Sequence, residues 1–239
     1  MDVHWEEFGW ERLAPGVGRR RLPGWDATVG LVAGEDGVLL FDTGSSVREG
    51  ALLRAGVEAL LGGRRVTHVA LSHPHFDHVL GTAAFAGAEV YGAVGLAELP
   101  GIDRALYEDA VREGLDPAEA AEAADLLMLP AHPVSGQLTL ELGGRQALLA
   151  NIGPGHTAHD LALLVPGSPE VVFCGDLVEE SGDPQAGPDA IPGRWPAALD
   201  RLLTLGGPDA LYVPGHGAAV DAAFVRAQRA TLAARFDTA

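Results

Sequence analysis

The chain has 239 residues, 47% of them hydrophobic, and its 33 acidic residues against 16 basic ones give a net charge of −17. This length allows one large domain or two small ones, and the negative field, which repels phosphodiester backbones and anionic lipids, disfavours nucleic-acid and membrane partners. The single cysteine, Cys174, excludes an intrachain disulfide.

The first half of the chain predicts strands followed by a helix. Two apolar, β-favouring runs at 28–32 and 37–41 are separated by a turn sequence at 35–37. Ser45 or Ser46 can cap a helix that runs to about residue 61, where two glycines stop it. The next predicted elements, in order, are a strand at 66–71, a short helix at 79–86 and a strand at 88–91.

The middle of the chain, residues 95–129, is rich in Ala, Leu and Glu and predicts helix throughout, with Asp116-Pro117 as a helix start. The rest of the chain predicts strands at 137–142, 145–152, 161–165, 171–174 and 210–213, a loop at 181–193, and helices at 195–205 and 221–235. Two blocks of strands, each followed by helices, indicate two packed sheets with helices outside. We therefore expect one domain over 1–239, with a helical insertion at 95–130.

Three of the nine histidines fall within the short segment 72–78, Ser-His-Pro-His-Phe-Asp-His. In an extended loop, residues i and i+2 point the same way, so His73 and His75 can share one ion. If the chain then turns into a helix, Asp77 and His78 point at a second position. Neutral imidazole suits Zn²⁺, and a carboxylate completes a mixed nitrogen and oxygen shell.

Three more candidate ligands follow predicted strands, and glycine stands beside each of them. They are His156 in Gly-Pro-Gly-His-Thr, Asp176 in Cys-Gly-Asp, and His216 in Pro-Gly-His-Gly. Glycine allows the backbone to approach a site closely. Polar residues on loops at the ends of several strands are typical of a catalytic site on a rigid sheet.

In their order from Thr28 to His216, these motifs resemble those of the metallo-β-lactamase-fold hydrolase superfamily, and its glyoxalase II-like branch in particular. The resemblance implies an α/β (α+β) fold, a four-layer αβ/βα sandwich of two mixed sheets with outer helices and the metals at one edge. It also implies two Zn²⁺ ions per chain, with Fe or Mn as alternatives. The implied ligands are His73, His75 and His156 for the first metal, Asp77, His78 and His216 for the second, and Asp176 as the bridging carboxylate.

Asp42, in Phe-Asp-Thr-Gly, matches the first motif of the family. We expect it either to orient a metal ligand without binding an ion itself, or to be an ordinary structural carboxylate. Asp176 stands where several zinc β-lactamases have a cysteine, which disfavours β-lactam hydrolysis. His159, three residues after His156, could contact substrate or be an exposed rim histidine.

The resemblance implies a dinuclear metal-dependent hydrolase that cleaves a small ester, thioester, lactone or amide by a metal-bridging hydroxide, which the catalytic Asp77 would orient. The alternative is an oxidoreductase like the persulfide dioxygenases, with a single iron held by His73, His156 and Asp176. The retained second-site residues favour two metals. A phosphodiesterase of the same fold is disfavoured by the net charge.

The insertion at 95–130 supports two further hypotheses. It could form a lid whose apolar residues shape the substrate pocket, namely Leu96, Leu99, Leu106, Tyr107, Leu126, Leu127 and Met128. It could instead be a helix pair packed on the outer sheet, or the surface of a homodimer. The acidic residues Glu179, Glu180 and Asp183 could line the pocket, although charged loop residues are usually only solvated.

The remaining expectations concern location and residues outside the motifs. Residues 1–7 have neither the basic nor the apolar region of a secretory signal, and no run approaches the roughly 18 apolar residues of a membrane span. We therefore expect a cytoplasmic protein. Cys174 is expected to be a buried structural thiol that could face near the site. His4, His68 and His132 match no motif and are expected to be structural or exposed.

Overall fold

The computed structural model describes residues 5–236, so His4 lies outside the described residues. Within that range two β-sheets are flanked by α-helices on their outer faces. No helix in this part of the chain is both long enough and apolar enough to cross a membrane. Three short 3₁₀ helices lie at Trp5–Phe8, Thr82–Phe85 and Pro192–Arg194.

The first sheet has seven strands in sequence order. Its first four strands pair antiparallel and the last three continue it in parallel. The carboxyl ends of the parallel strands therefore meet at one edge of the sheet. The strands are β1 (Glu11–Ala14), β2 (Val17–Arg21), β3 (Thr28–Ala33), β4 (Val38–Phe41), β5 (His68–Ala70), β6 (Glu89–Ala93) and β7 (His132–Val134).

The second sheet has five strands in the order β12-β11-β10-β9-β8. Only the pair β11 and β12 is parallel, so this sheet is mixed as well. An isolated bridge from Ala27 to His216 joins the two sheets beside the end of β12. The strands are β8 (Gln137–Glu141), β9 (Gln146–Asn151), β10 (Leu161–Val165), β11 (Val171–Glu179) and β12 (Leu211–His216).

Two of the helices, α1 and α4, begin after a residue whose side chain caps them. The Ser46 side chain accepts a hydrogen bond from Glu49 N at the start of α1, and Asp116 accepts from Ala118 N and Glu119 N at the start of α4. The helices are α1 (Val47–Leu60), α2 (Phe76–Val79), α3 (Ile102–Arg112), α4 (Pro117–Asp125), α5 (Trp195–Gly206) and α6 (Ala222–Phe236).

Three separate apolar clusters show how the layers pack. The first lies between the first sheet and α1 to α4, and includes Leu53 and Val69. The second fills the space between the two sheets, where Phe41 packs against Phe173 with ring centroids 5.9 Å apart. The third lies between the second sheet and α5 and α6. Three cores separate four layers, so the predicted αβ/βα sandwich of two mixed sheets is confirmed.

The structure corrects the predicted helical insertion in two ways. Residues 95–129 are not helical throughout, because α3 and α4 are separated by residues 113–116 and flanked by non-helical segments. Most of the apolar residues assigned to a substrate pocket instead pack into the first cluster, which contains Leu96, Leu99, Leu106, Tyr107, Leu127 and Met128. The segment is therefore a helix pair packed on the outer face of the first sheet, while its role as a lid stays a prediction.

Candidate metal centre

The candidate ligands meet at one edge of the sandwich because the strands that carry them end there. The segment 72–78 follows β5 and turns into α2 at Phe76. His156 lies on the connection between β9 and β10, whereas Asp176 lies within β11 and His216 ends β12. The sequence had placed Asp176 on a loop after its strand, and this expectation is wrong because β11 continues to Glu179.

Two groups of ligand atoms lie in the cluster, with the atoms within each group at most 4.8 Å apart. The first group is His73, His75, His156 and Asp176, and the second is Asp77, His78 and His216. Asp176 also reaches the second group, because its Oδ2 lies 3.4 Å from His216 Nε2 and its Oδ1 lies 3.2 Å from His78 Nε2. The fold thus brings all seven predicted metal ligands together, and their binding of ions stays a prediction.

Asp42 supports one histidine in each group. Its Oδ2 accepts a hydrogen bond from His78 Nδ1 at 2.9 Å, and its Oδ1 accepts one from the backbone N–H of Ser72 at 2.7 Å. The Ser72 hydroxyl in turn lies 2.9 Å from His73 Nδ1. These contacts fix the ring orientations of His73 and His78, which is the positioning role that the sequence suggested for Asp42.

The other three histidines are also held through the ring nitrogen that points away from the cluster. Such contacts select one tautomer and leave the second nitrogen free to face a metal. The contacts are His75 Nε2 to Asp189 Oδ2 at 3.0 Å, His156 Nδ1 to the Gln185 carbonyl at 3.1 Å and His216 Nδ1 to the Trp25 carbonyl at 2.8 Å.

Three features of this arrangement fit a bound cation. His73 Nε2 and Asp176 Oδ1 are buried and form no hydrogen bond within the described residues. A buried polar atom without a partner is costly, and a metal ion would satisfy both atoms. In addition, His156 Nε2 and His75 Nδ1 face each other at 3.0 Å, as two ligands of one ion would. The imidazole and carboxylate donors match the set that zinc and related divalent metals use.

Burial favours the neutral imidazole at two of the three histidines in the first group. Burial lowers the pKa of His73 well below its usual value and lowers the pKa of His156 to about 4. Burial also opposes protonation of His75, but the hydrogen bond that its Nε2 donates to Asp189 raises its pKa. A neutral imidazole offers its lone pair to a metal without first losing a proton.

In the second group, neighbouring carboxylates favour the protonated, positively charged form of both histidines. Burial alone would lower the pKa of His216, but Asp176 and Asp77 raise it to about 11. The same carboxylates, with Asp42, raise the pKa of His78 well above its usual value against the effect of burial. Burial would raise the pKa values of Asp77 and Asp176, yet the neighbouring histidines lower both. Positive charge at this position is therefore strongly favoured.

Gly215 illustrates why glycine precedes a candidate ligand. A Cβ atom at this position would lie 1.8 Å from Asp176 Oδ1, a distance that no side chain could tolerate. Only glycine lets β12 pass this close to the carboxylate shared by the two groups. The sequence predicted that glycines beside the ligands allow the backbone to approach the site closely, and this is confirmed at Gly215.

Other candidate residues have different surroundings. His159 is half-buried, its Nδ1 donates to the Val94 carbonyl at 3.0 Å, and its contact with substrate stays a prediction. Cys174 is buried in the cluster beneath α5 and α6, so the suggestion that it faces near the site is wrong. His68 and His132 stack on Tyr91, outside both ligand groups.

The sequence missed Asp189, which supports the cluster, and left the role of Glu179, which borders it, open. Asp189 lies 114 positions from the histidine that it holds, in a loop whose acidic residues resemble solvated ones. Glu179 could line the pocket or be solvated according to its sequence, and the structure shows that it is only 8% exposed and forms a third possible ligand group with Asp176 and His216. No local sequence signal reveals either contact, because both depend on how distant segments pack.

The fold and this cluster define a metal-binding αβ/βα sandwich. The family model of the metallo-beta-lactamase superfamily matches residues 22–216, and the chain therefore belongs to that superfamily. Metallo-beta-lactamase domain-containing protein 1 of Xenopus laevis is 29% identical over 196 residues, which are 80% of this chain and 71% of that protein.

Solved structures share the fold at lower identity. A metallo-beta-lactamase from Pontibacter korlensis has a TM-score of 0.72 at 21% identity and covers 93% of this chain and 97% of its own. A metallo-beta-lactamase from Hirschia baltica has a TM-score of 0.69 at 17% identity, with coverage of 93% and 96%. At these identities the likeness establishes the architecture, and the reaction must be inferred from the site.

Proposed function

We propose that this protein is a dinuclear metal-dependent hydrolase that cleaves a small ester, thioester, lactone or amide. The observation that carries the proposal is the pair of ligand groups, which contact each other through Asp176 at the edge of a fold whose family consists mostly of hydrolases. Two Zn²⁺ ions match the donor atoms. The acidic character of the chain also favours a small-molecule substrate over a polyanionic one.

Divalent ions in such a cluster polarise a carbonyl group and lower the pKa of water so that hydroxide is available at neutral pH. The chain contributes the positions and the charges. Asp77 is 8% exposed and its Oδ2 lies 3.3 Å from His216 Nε2, so it can orient a water molecule in the cluster and hold its proton. Because both ligand groups are largely buried, their charges act with little screening by solvent.

The proposal is tested by metal analysis combined with a substrate screen. Purified protein should contain two divalent ions per chain and hydrolyse at least one member of a panel of thioesters, esters, lactones, amides, β-lactams and phosphodiesters. His73→Ala and Asp77→Ala should each lower kcat/KM by roughly a hundredfold or more. His132→Ala, which removes a histidine outside both groups, serves as the matched control and should retain activity.

Several outcomes would contradict the proposal. Full activity in both His73→Ala and Asp77→Ala would show that the cluster does not carry the reaction. One iron per chain together with oxygen consumption would favour the oxidoreductase alternative. Cleavage of phosphodiesters alone would replace the proposed substrate class with another one.

A further inference from the structure

Glu179 faces the metal cluster because β11 is irregular. In a regular strand, residues three positions apart point to opposite faces of the sheet, so Asp176 and Glu179 would be separated. Here Gly175 of β11 pairs with Pro214 of β12, and the next pair is Glu179 with His216, so four steps along β11 correspond to two steps along β12. Extra residues of this kind form a bulge, which redirects side chains.

The bulge is held in place by a buried side chain of α6. Gln228 is 7% exposed, its Oε1 accepts a hydrogen bond from Glu179 N at 3.0 Å, and its Nε2 donates to the Leu177 carbonyl at 2.8 Å. Trp195 Nε1 donates to the same carbonyl at 3.0 Å. These bonds satisfy backbone groups that lack partners in the strand ladder, so the bulge is a defined part of the fold.

As a result, Glu179, Asp176 and His216 each place a ligand atom within 4.8 Å of the other two. The Ser181 hydroxyl donates to Glu179 Oε1, and no hydrogen bond to Glu179 Oε2 is found among the described residues. Asp176 Oδ1, in the same group, is buried without a hydrogen-bond partner. A carboxylate that is 8% exposed and lies beside a second carboxylate is unfavourable unless positive charge compensates it.

We propose that Glu179 is an additional ligand at the second metal position, and that it makes this position more selective for a hard cation such as Mn²⁺ than the first. This inference rests on the proposed function for the existence of two positions. It extends the ligand set inferred from the family resemblance by one residue.

The donor atoms give the chemical reason. The first group combines three imidazoles with Asp176, whereas the second combines two imidazoles with Asp77 and is reached by Asp176. Glu179 forms a third group with Asp176 and His216, so its carboxylate would add oxygen donors beside His216, a ligand of the second position. Imidazole suits Zn²⁺ and Fe, while carboxylate oxygens suit Mg²⁺, Ca²⁺ and Mn²⁺. Each added carboxylate therefore reduces the amount by which the affinity for Zn²⁺ usually exceeds the affinity for Mn²⁺.

The test compares Zn²⁺ and Mn²⁺ binding in the full chain and in Glu179→Gln. This substitution keeps one oxygen that can accept from Ser181, and it replaces the other with an NH2 group and removes the negative charge. Asp183→Asn removes one charge from an exposed residue nearby in the chain and is the matched control. Metal-free protein is loaded with one equivalent of Zn²⁺ and titrated with Mn²⁺, with stoichiometry from native mass spectrometry and free Mn²⁺ from electron paramagnetic resonance.

We expect Glu179→Gln to weaken binding of Mn²⁺ at the second position by about tenfold or more. Binding of Zn²⁺ at that position should weaken less, and binding of the first Zn²⁺ and the Asp183→Asn control should match the original protein. Ser181→Ala should weaken Mn²⁺ binding in the same direction but by less. If Glu179→Gln does not fold, Glu179→Asp, which withdraws the carboxylate by one methylene, must lower Mn²⁺ affinity.

Unchanged Mn²⁺ affinity in Glu179→Gln would overturn the inference, as would equal losses for Zn²⁺ and Mn²⁺. Binding of only one ion by the original protein would overturn it too. The proposed hydrolase activity is tested by a different outcome. A protein that binds two ions with the expected dependence on Glu179 but cleaves no substrate would keep this inference and reject the reaction.

Discussion

The two ligand groups, which we propose as two metal positions, depend on different parts of the molecule. At the second position, His78 is held by Asp42, which is 1% exposed, and His216 by a backbone carbonyl next to the bridge between the two sheets. At the first position, His75 and His156 are held from the loop 181–193, through Asp189, whose side chain is 47% exposed, and the Gln185 carbonyl. The second position is therefore supported by the core and the first partly by a surface loop.

The largest effect is expected from Asp77→Asn, which acts on the second position alone. The amide can still bind weakly but cannot hold a proton or supply charge, so we expect kcat/KM to fall by about a hundredfold to ten-thousandfold. One ion should remain bound at the first position, which native mass spectrometry can count. Asp183→Asn is the control. Loss of both ions would show that the two positions do not bind independently.

Asp42→Asn should have the next largest effect, because Asp42 supports a histidine in each position. Its backbone has φ of 67°, and asparagine tolerates that conformation, so the substitution tests the carboxylate and not the turn. We expect metal affinity to fall by about tenfold to a hundredfold at the second position. At the first position the loss should be smaller, because Asp42 reaches His73 only through Ser72. Equal losses measured by calorimetry would contradict that order.

Asp189→Asn tests the loop support of the first position. An amide oxygen can still accept from His75 Nε2, and solvent can reach the partly exposed side chain, so the loss of affinity for the first ion should be below about tenfold. The second ion should bind as before. A larger effect on the second ion than on the first would reverse the proposed division between loop and core.

The sequence predicted those ligands of this centre that lie close together along the chain. His73, His75, Asp77 and His78 lie within six consecutive residues, so strand and turn geometry alone indicate that they converge. Two strands at or beside the edges of the first sheet were not predicted. The strand β2, next to the edge strand β1, has the sequence Val-Gly-Arg-Arg-Arg, in which Arg19 is buried and bonded to Glu11 and the Gly217 carbonyl. The edge strand β7 has only three residues with a central proline. Neither matches the apolar pattern of a strand.

The supporting residues could not be predicted because their roles arise from tertiary packing. Glu179 is buried only because two strands pair out of register, and sequence periodicity predicts the regular register. Asp189 and Gln185 belong to a loop rich in Gly, Pro and Asp, a composition that indicates a loop but not its partners. The sequence therefore predicts which atoms could bind metal better than it predicts which atoms hold them in place.

The smallest effect on the metal centre is expected from Asp160→Asn, which tests a buried carboxyl group next to the first position. Asp160 Oδ1 accepts hydrogen bonds from the backbone N–H and the hydroxyl of Thr157, beside His156, while its Oδ2 is buried without a hydrogen bond. Burial raises the pKa of this carboxyl to about 7. The amide keeps the accepting oxygen, so metal affinity should be unchanged.

The effect of Asp160→Asn should appear in the free energy of unfolding as a function of pH. In the unfolded chain Asp160 titrates near the ordinary value of about 4, so between about pH 4 and 7 the folded state binds more protons than the unfolded state. The original protein should therefore lose stability relative to Asp160→Asn as pH rises through this window, by about 1 kcal/mol or more, with no further change above it. Urea denaturation of metal-free protein at several pH values measures the difference. If the free energy of unfolding of the two proteins varied with pH in parallel, Asp160 would titrate normally in the folded state. Its burial beside the His156 loop would then not destabilise the folded protein.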